Sequence, residues 1–119
     1  MITIYHNPRC SKSREALAIA QQFSAQQNLP LQVVEYLETP LTLAQLAALH
    51  RQLGGEVRDM VRDNEEEFSA LNLAHADQAA LLHALAQYPV LLQRPIVSYG
   101  ERAMIGRPPE SLRAFLQPV

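Results

Sequence analysis

MITIYHNPRCSKSREALAIAQQF, residues 1–23, decides the fold. Within it the spacing of the apolar residues changes from the alternation of a strand to the three- and four-residue spacing of a helix. The first six residues alternate apolar with polar side chains and include β-branched and aromatic residues, which predicts a strand. Asn7 and Pro8 interrupt this strand, and a helix is predicted to begin at Ser11. The apolar residues of the helix recur at the spacing of one turn: Ala16, Ile19, Ala20 and Phe23.

A second strand is predicted over residues 31–36, LQVVEY, because Asn28 and Pro30 end the helix. Strand, helix and strand within about thirty-five residues are typical of a βαβ unit with a right-handed crossover. The first two strands are therefore expected to run parallel.

The C-terminal part of the chain predicts strands again. Residues 95–99, PIVSY, and residues 102–105, RAMI, flank the dipeptide Gly100-Glu101, which is a pattern typical of a hairpin. A last helix is predicted to open at the prolines of residues 108–109.

Residues 41–93 separate these two strand pairs and carry helix signals. Thr42 is placed to open a capping box, and Asp77 is placed to cap a later helix. Between them, Arg58 and Arg62 are expected on one face of a short amphipathic turn, because they stand at i and i+4.

Removal of this helical segment leaves a four-stranded arrangement of the thioredoxin type. We therefore predict an α/β fold with a mixed four-stranded sheet in the order βαβ…ββα and a helical insertion between the second and third strands. Residues 1–119 are predicted to form a single domain, since their number is close to the usual size of one domain.

Composition excludes several classes of function. The net charge of -2 argues against a nucleic-acid-binding role. No apolar run approaches the roughly 20 residues of a membrane span, and the N-terminus lacks signal-peptide features, so we expect a cytoplasmic protein without membrane contact. The single cysteine, Cys10, excludes an internal disulfide. No metal site is predicted, because three histidines lack ligand spacing: His50, His75 and His83.

Cys10 stands between the first predicted strand and the first predicted helix. At a helix N-terminus, free backbone N–H groups and the helix dipole stabilise a thiolate. A reactive thiolate is favoured over an inert buried cysteine, because four potential cations lie within a few residues of the sulfur: His6, Arg9, Lys12 and Arg14.

Ser13 completes a Cys-x-x-Ser spacing with Cys10. Its hydroxyl is expected to point back toward the sulfur across one helical turn; the alternative is an ordinary serine at a helix start. His6 is expected either to protonate and support the thiolate or to serve only as a polar residue at the end of a strand.

Four segments in matching order resemble the glutathione/glutaredoxin-coupled arsenate reductase family. They are IYHNPRCSKSR, residues 4–14; YLETP, residues 36–40; VRDMVRDN, residues 57–64; and QRPIV, residues 93–97. The resemblance spans nearly the whole chain and implies a thioredoxin-like fold with a helical insertion.

The resemblance also implies an activity and a site. In that family one cysteine attacks arsenate, and this residue matches Cys10. The family's histidine and serine near the cysteine match His6 and Ser13. Three arginines of the family hold the oxyanion, and they match Arg62, Arg94 and Arg107. Supporting residues are Asn7, Arg14 and Pro95, and the Arg94-Pro95 bond is expected to be cis.

The single cysteine makes external thiols necessary for a reductase. The resemblance implies no bound cofactor, glutathione as a co-substrate, glutaredoxin as a protein partner, and a monomer. Arginine supplies the fixed positive charge that lets a thiolate approach an arsenate anion.

Several alternatives remain open at this stage. Arg62 could pair with Asp59 or Glu66, and Arg107 could cap the hairpin. The chain could also be a monothiol, glutaredoxin-like oxidoreductase acting on glutathione adducts or another oxyanion. A third class is the redox-responsive regulator that binds RNA polymerase, although such regulators usually carry Cys-x-x-Cys, and Ser13 replaces the second cysteine.

Overall fold

The computed structural model describes residues 1–118, in which four strands form one mixed sheet. The strand order is β2-β1-β3-β4; β1 pairs with β2 in parallel, and the two remaining pairs are antiparallel. The predicted α/β fold class is confirmed. The strand bounds are β1 (Ile2–His6), β2 (Leu31–Glu35), β3 (Ile96–Tyr99) and β4 (Arg102–Ile105).

Helix α1 (Ser11–Gln27) connects β1 to β2 and has the bounds that the sequence predicts. Cys10 is its N-cap residue, and Asn28 ends it with φ 53° and ψ 45°. Asparagine adopts this left-handed conformation more readily than most residues, which explains the sharp end of the helix. Its buried stripe faces the sheet and includes Ala16, Ala20 and Phe23.

The segment between β2 and β3 is helical, as predicted. The Thr42 hydroxyl accepts a hydrogen bond from the Gln45 N–H at 3.1 Å, and the Asp77 carboxylate accepts one from the Ala80 N–H at 2.9 Å. Thr42 caps α2 (Leu43–Leu53), and Asp77 caps α4 (Gln78–Gln87). Between them lies α3 (Glu66–Ala70), and the insertion also contains 3₁₀ turns at Val57–Met60, Leu73–His75 and Pro89–Leu91. After β4 the chain forms a 3₁₀ turn at Pro109–Ser111 and the short helix α5 (Leu112–Phe115).

The expectation that Arg58 and Arg62 share a helical face is wrong. The 3₁₀ turn ends at Met60, and Val61 forms an isolated antiparallel bridge with Leu92. Arg58 donates hydrogen bonds to the carbonyl oxygens at positions 73 and 76, whereas Arg62 lies beyond the turn. Pairing with a segment distant in sequence extends the backbone at Val61, and a local pattern cannot reveal this.

Hydrophobic clusters pack on both faces of the sheet. On β3, Ile96 belongs to the cluster built with the helical insertion, whereas Val97 belongs to the cluster built with α1 and α5. Both side chains are fully buried. Because successive side chains of a strand point to opposite faces, the two clusters hold the sheet between them. The loop after β1, which carries Cys10, is thus anchored on a rigid support.

Within residues 1–118, no helix is both long enough and apolar enough to cross a membrane.

Candidate active site

Cys10 lies in a tight loop between β1 and α1 and is half-buried. Its N–H donates a 3.0 Å hydrogen bond to the Asn7 carbonyl oxygen, and its own carbonyl oxygen accepts one from the Arg14 N–H at 3.0 Å. The Asn7 side chain also accepts a hydrogen bond from the Arg9 N–H at 3.0 Å. The loop therefore fixes the sulfur at the first turn of the helix, where backbone N–H groups are free.

The environment of Cys10 lowers the pKa of its thiol below the ordinary value. Burial raises this pKa, but the backbone N–H of Ser13, the positive charge and N–H groups of Arg94 and the backbone N–H of Lys12 together outweigh it. Backbone amides and one guanidinium thus stabilise the thiolate, and Cys10 is more strongly ionised near neutral pH than a free cysteine.

Proximity in sequence does not identify the cation that acts on the thiolate. Arg9 is exposed, and Nζ of Lys12 lies 4.0 Å from a carboxylate oxygen of Glu15. The Arg14 guanidinium donates a 2.9 Å hydrogen bond to the Pro8 carbonyl oxygen. The positive charge that lowers the pKa of the Cys10 thiol belongs instead to Arg94, more than eighty residues away in the chain.

The Ser13 hydroxyl takes a position different from the expected one. It lies 2.7 Å from Nδ1 of His6 and accepts a 3.0 Å hydrogen bond from the Asn7 N–H. The prediction that this hydroxyl faces the Cys10 sulfur is wrong, because the buried His6 ring at the end of β1 and the Asn7 N–H just after it engage it. The backbone N–H of Ser13 is the group that acts on the thiolate.

His6 is 5% exposed at the end of β1. Burial lowers its pKa most strongly, and the positive charge of Arg14 lowers it further. The negative charge of Glu35 and a hydrogen bond with Ser13 raise it, but by less. The net pKa of His6 is lowered, so the ring is neutral near pH 7. The expectation that His6 supports the thiolate as a cation is therefore corrected: it holds the Ser13 side chain.

Arg94 and Arg107 meet at the start of β3. The Arg107 guanidinium donates a 3.2 Å hydrogen bond to the Arg94 carbonyl oxygen, and the Gly106 N–H donates one to the Pro95 carbonyl oxygen at 2.8 Å. The Arg94-Pro95 bond is cis, as expected, and the Arg107-Pro108 bond is cis as well. Hydrogen bonds between the two ends of the hairpin thus place Arg107 beside the residue whose charge acts on Cys10.

The guanidinium of Arg94 contains unused hydrogen-bond donors. Within residues 1–118, its Nε and Nη1 atoms are buried and have no hydrogen-bond partner. A buried unsatisfied donor costs about 1–3 kcal/mol, and more when the group is charged. An arginine that keeps such donors beside a thiolate is arranged to receive an acceptor, such as an oxyanion.

Arg62 reaches the same region through its backbone. Its N–H donates a 2.7 Å hydrogen bond to the Leu91 carbonyl oxygen, and the Gln93 N–H donates one to the Met60 carbonyl oxygen at 2.8 Å. These bonds join the Arg62 segment to the residues that precede Arg94. The guanidinium forms an ion pair with Glu65, and not with Asp59 or Glu66, the partners that the sequence left open as an alternative.

The model that describes the ArsC family matches residues 5–115 of the chain. This chain belongs to the ArsC family. Its mixed sheet and helical insertion are those of thioredoxin-like structures in that family.

Individual ArsC-family relatives match over nearly the whole chain. An arsenate reductase of Haemophilus influenzae is 40% identical over 118 residues, which cover 97% of this chain and 98% of the relative. The Escherichia coli protein YfgD, described as uncharacterized, is 42% identical over 114 residues, covering 93% of this chain and 92% of the relative. The structure of an arsenate reductase from Vibrio cholerae superposes with a TM-score of 0.85 at 43% identity, covering 97% of both chains.

Tyr36 belongs to this ArsC-family site, although sequence reasoning assigned it no role. Its side chain is 1% exposed. Burial raises its pKa to about 12; the charge of Arg94 and a hydrogen bond with the Asn7 side chain lower it, whereas negative charge on Cys10 and Glu65 raises it. The phenol therefore stays protonated at neutral pH, and its O–H is a potential hydrogen-bond donor in a region where the charges of Cys10 and Arg94 both act.

The parallel pairing of β1 with β2 could have predicted that Tyr36 lies near the site. The parallel register of β1 and β2 pairs His6 with Glu35, so the residues that follow, Asn7 and Tyr36, emerge at the same edge of the sheet. Ligand-binding residues gather at the carboxyl ends of parallel strands. Within residues 1–118, no group of three or more His, Cys, Asp or Glu side chains is arranged to hold a metal ion.

Proposed function

We propose that this ArsC-family chain is an arsenate reductase in which Cys10 is the nucleophile and glutathione and glutaredoxin supply the reducing thiols. The observation that carries the proposal is the guanidinium of Arg94: it has two buried donors that no atom of residues 1–118 satisfies, and its charge lowers the pKa of the Cys10 thiol. The names of the relatives from Haemophilus influenzae and Vibrio cholerae support arsenate as the substrate.

Anion binding precedes the chemistry. Arsenate carries negative charge near neutral pH, and a thiolate cannot approach it unless cations neutralise that charge. Arg94 provides the principal contact, and Arg62 and Arg107 complete the binding site. The free N–H groups of the first turn of α1 donate hydrogen bonds to further oxygens of the anion.

The first covalent step joins Cys10 to arsenic. The thiolate attacks As(V), an S–As bond forms, and one arsenate oxygen leaves as water after protonation. The lowered pKa of the thiol matters here, because at an ordinary pKa of about 8.5 only about 3% of a thiol is ionised at pH 7.

External thiols complete the reduction. The glutathione thiolate attacks the Cys10 sulfur, a Cys10–glutathione disulfide forms, and the S–As electron pair leaves with arsenic, which is reduced from As(V) to As(III) and released as arsenite. A glutaredoxin thiolate then attacks the glutathione sulfur of this mixed disulfide. The Cys10 thiolate is regenerated, and the oxidising equivalents pass to glutaredoxin as a glutathione adduct. Cys10 is the only thiol that the chain itself contributes.

The test is a coupled assay of arsenite formation with glutathione, glutaredoxin and arsenate. Cys10→Ser is expected to reduce turnover to background, whereas Ser11→Ala, an exposed neighbour, is expected to retain it. Turnover by Cys10→Ser would refute the mechanism. Omission of glutaredoxin is expected to stop multiple turnover; continued turnover without it would refute the proposed reductant.

A second measurement separates this proposal from a monothiol oxidoreductase that acts on glutathione adducts. Arsenate titrated into the free protein is expected to protect Cys10 from alkylation, and Arg94→Gln is expected to remove this protection. Protection of Cys10 by oxidised glutathione but not by arsenate would favour the monothiol function.

A further inference from the structure

The ion pair between Arg62 and Glu65 has no evident role in holding the fold together. The two residues are three positions apart in one segment, so their contact joins no distant elements. Their side chains are 16% and 24% exposed, respectively. Local ion pairs of this kind add little to the stability of a protein.

The position of Glu65 explains why its side chain turns toward Arg62. Glu65 is the N-cap residue of α3, but its carboxylate makes no capping hydrogen bond to that helix. Within residues 1–118, its one polar side-chain contact is the guanidinium of Arg62. Rotation of this side chain away from Arg62 would break only that contact.

The carboxylate also belongs to the neighbourhood of the candidate site. The negative charge of Glu65 acts on the buried Tyr36 phenol, which is also influenced by Cys10 and Arg94. A carboxylate here occupies a guanidinium needed for an arsenate anion and repels that anion as it approaches. It is thus a negative oxygen ligand of Arg62 supplied by the chain itself.

We propose that Glu65 is an internal competitor for the oxyanion: it occupies Arg62 in the empty site and is displaced when arsenate binds. This inference rests on the proposed function, because it assigns Arg62 to the anion site. Glu65 thereby sets the affinity for the anion without touching it. The opposite role, in which Glu65 orients Arg62 for binding, predicts the opposite change in affinity when the carboxylate is removed.

Calorimetric titration of arsenate tests the proposal, with every variant carried on a Cys10→Ser background that cannot form the covalent adduct. Glu65→Gln is expected to bind arsenate about threefold to fivefold more tightly, the upper part of the range expected for removal of one partly exposed ion pair. The matched control is Glu66→Gln, which removes the same charge from an exposed neighbour and is expected to change affinity less than twofold.

The partner variant separates the two proposals. Arg62→Gln is expected to weaken arsenate binding, and the gain from Glu65→Gln is expected to vanish when the two substitutions are combined. Unchanged binding by Arg62→Gln would overturn the proposed anion site. Arg62→Gln could weaken arsenate binding as expected while Glu65→Gln binds arsenate no more tightly than Glu66→Gln. That pair of results would overturn only the role of Glu65. Thermal unfolding monitors each variant, and Glu65→Ala replaces any Glu65→Gln protein that fails to fold.

Discussion

The two halves of the candidate site are built in different ways. The thiol half, residues 6–14, is contiguous in sequence, and its hydrogen bonds link residues at most seven positions apart. The cationic half combines Arg62, Arg94 and Arg107, which come from three separate segments. The backbone bridge at Val61 and the backbone hydrogen bond from Gly106 to Pro95 at the ends of the hairpin bring these segments together.

This difference shows that closeness in sequence is a poor guide to electrostatics. The thiol half contains its own cations, yet Arg9 is exposed and Arg14 is bonded to a backbone carbonyl. Arg94 acts on Cys10 because the sheet places β3 directly beside β1. Local structure positions the sulfur, and long-range pairing supplies the charge that activates it.

Substitution of one arginine in each half should give the largest difference in activity between two variants. Arg94→Gln is expected to lower kcat/KM for arsenate by about a hundredfold or more, the usual cost of losing a donor to a reacting oxyanion. It should also raise the pKa of the Cys10 thiol, because it removes the charge that lowers it. Cys10 then stays alkylatable, but the midpoint of alkylation against pH moves upward.

The matched substitution in the thiol half is Arg9→Gln. It removes a cation adjacent to Cys10 in sequence but exposed in the structure, so both the midpoint of alkylation and kcat/KM should change little. Equal shifts in the two variants would show that net charge, rather than the position of Arg94, determines the ionisation of Cys10.

Removal of the Ser13 hydroxyl tests the internal construction of the thiol half. Ser13→Ala leaves the buried His6 ring and the Asn7 N–H without their partner, and the free energy of unfolding is expected to fall by about 1–3 kcal/mol. Denaturant unfolding measures the loss. The control is Ser11→Ala at an exposed position of the same helix, which should cost less than about 0.5 kcal/mol; equal losses would contradict a specific role for the buried hydroxyl.

The sequence predicts those features of the fold that depend on interactions between neighbouring residues. The bounds of α1, the caps at Thr42 and Asp77 and the hairpin all depend on neighbouring residues, and the structure contains them. The direction of the Ser13 hydroxyl could not be predicted, because the choice between the sulfur and His6 depends on burial against β1. The turn at Arg58 was misread because a distant segment straightens the backbone that follows it.

The cationic half shows the same limit more strongly. The resemblance to a family predicts three anion-binding arginines, but it could not show that Arg62 is paired with Glu65. Nor did it assign a role to Tyr36, which joins the site through the parallel register of two strands. Side-chain partners across segments depend on the folded arrangement, so they become visible only in the structure.

The pH dependence of stability tests the neutral His6 ring. Because the pKa of His6 is lowered in the folded chain, the unfolded chain binds its proton first as pH falls below the ordinary value of 6.5. The contribution of His6 to stability is therefore present above pH 6.5 and is lost as pH falls toward the lowered pKa, with a slope of at most about 1.4 kcal/mol per pH unit.

The measurement is denaturant unfolding between pH 7 and pH 5. His6→Asn should flatten the fall in stability, whereas His83→Gln, at an exposed position, should leave the slope unchanged. A steeper or identical slope in His6→Asn would mean that another group carries the pH dependence and that the ring is not held neutral by burial.

Of the two arginines at the ends of the hairpin, Arg107 should give a smaller effect than Arg94, and the size of that effect separates two roles. Its guanidinium is at the exposed edge of the site and donates a hydrogen bond to the Arg94 carbonyl oxygen. If its main contribution is to hold that backbone, Arg107→Gln should lower kcat/KM only about twofold to tenfold, the value of one ordinary hydrogen bond. Arg113→Gln, at an exposed position of α5, is the control and should change kcat/KM less than twofold. A loss as large as that of Arg94→Gln would place Arg107 in direct contact with the anion, and the cationic half would then depend equally on both ends of the hairpin.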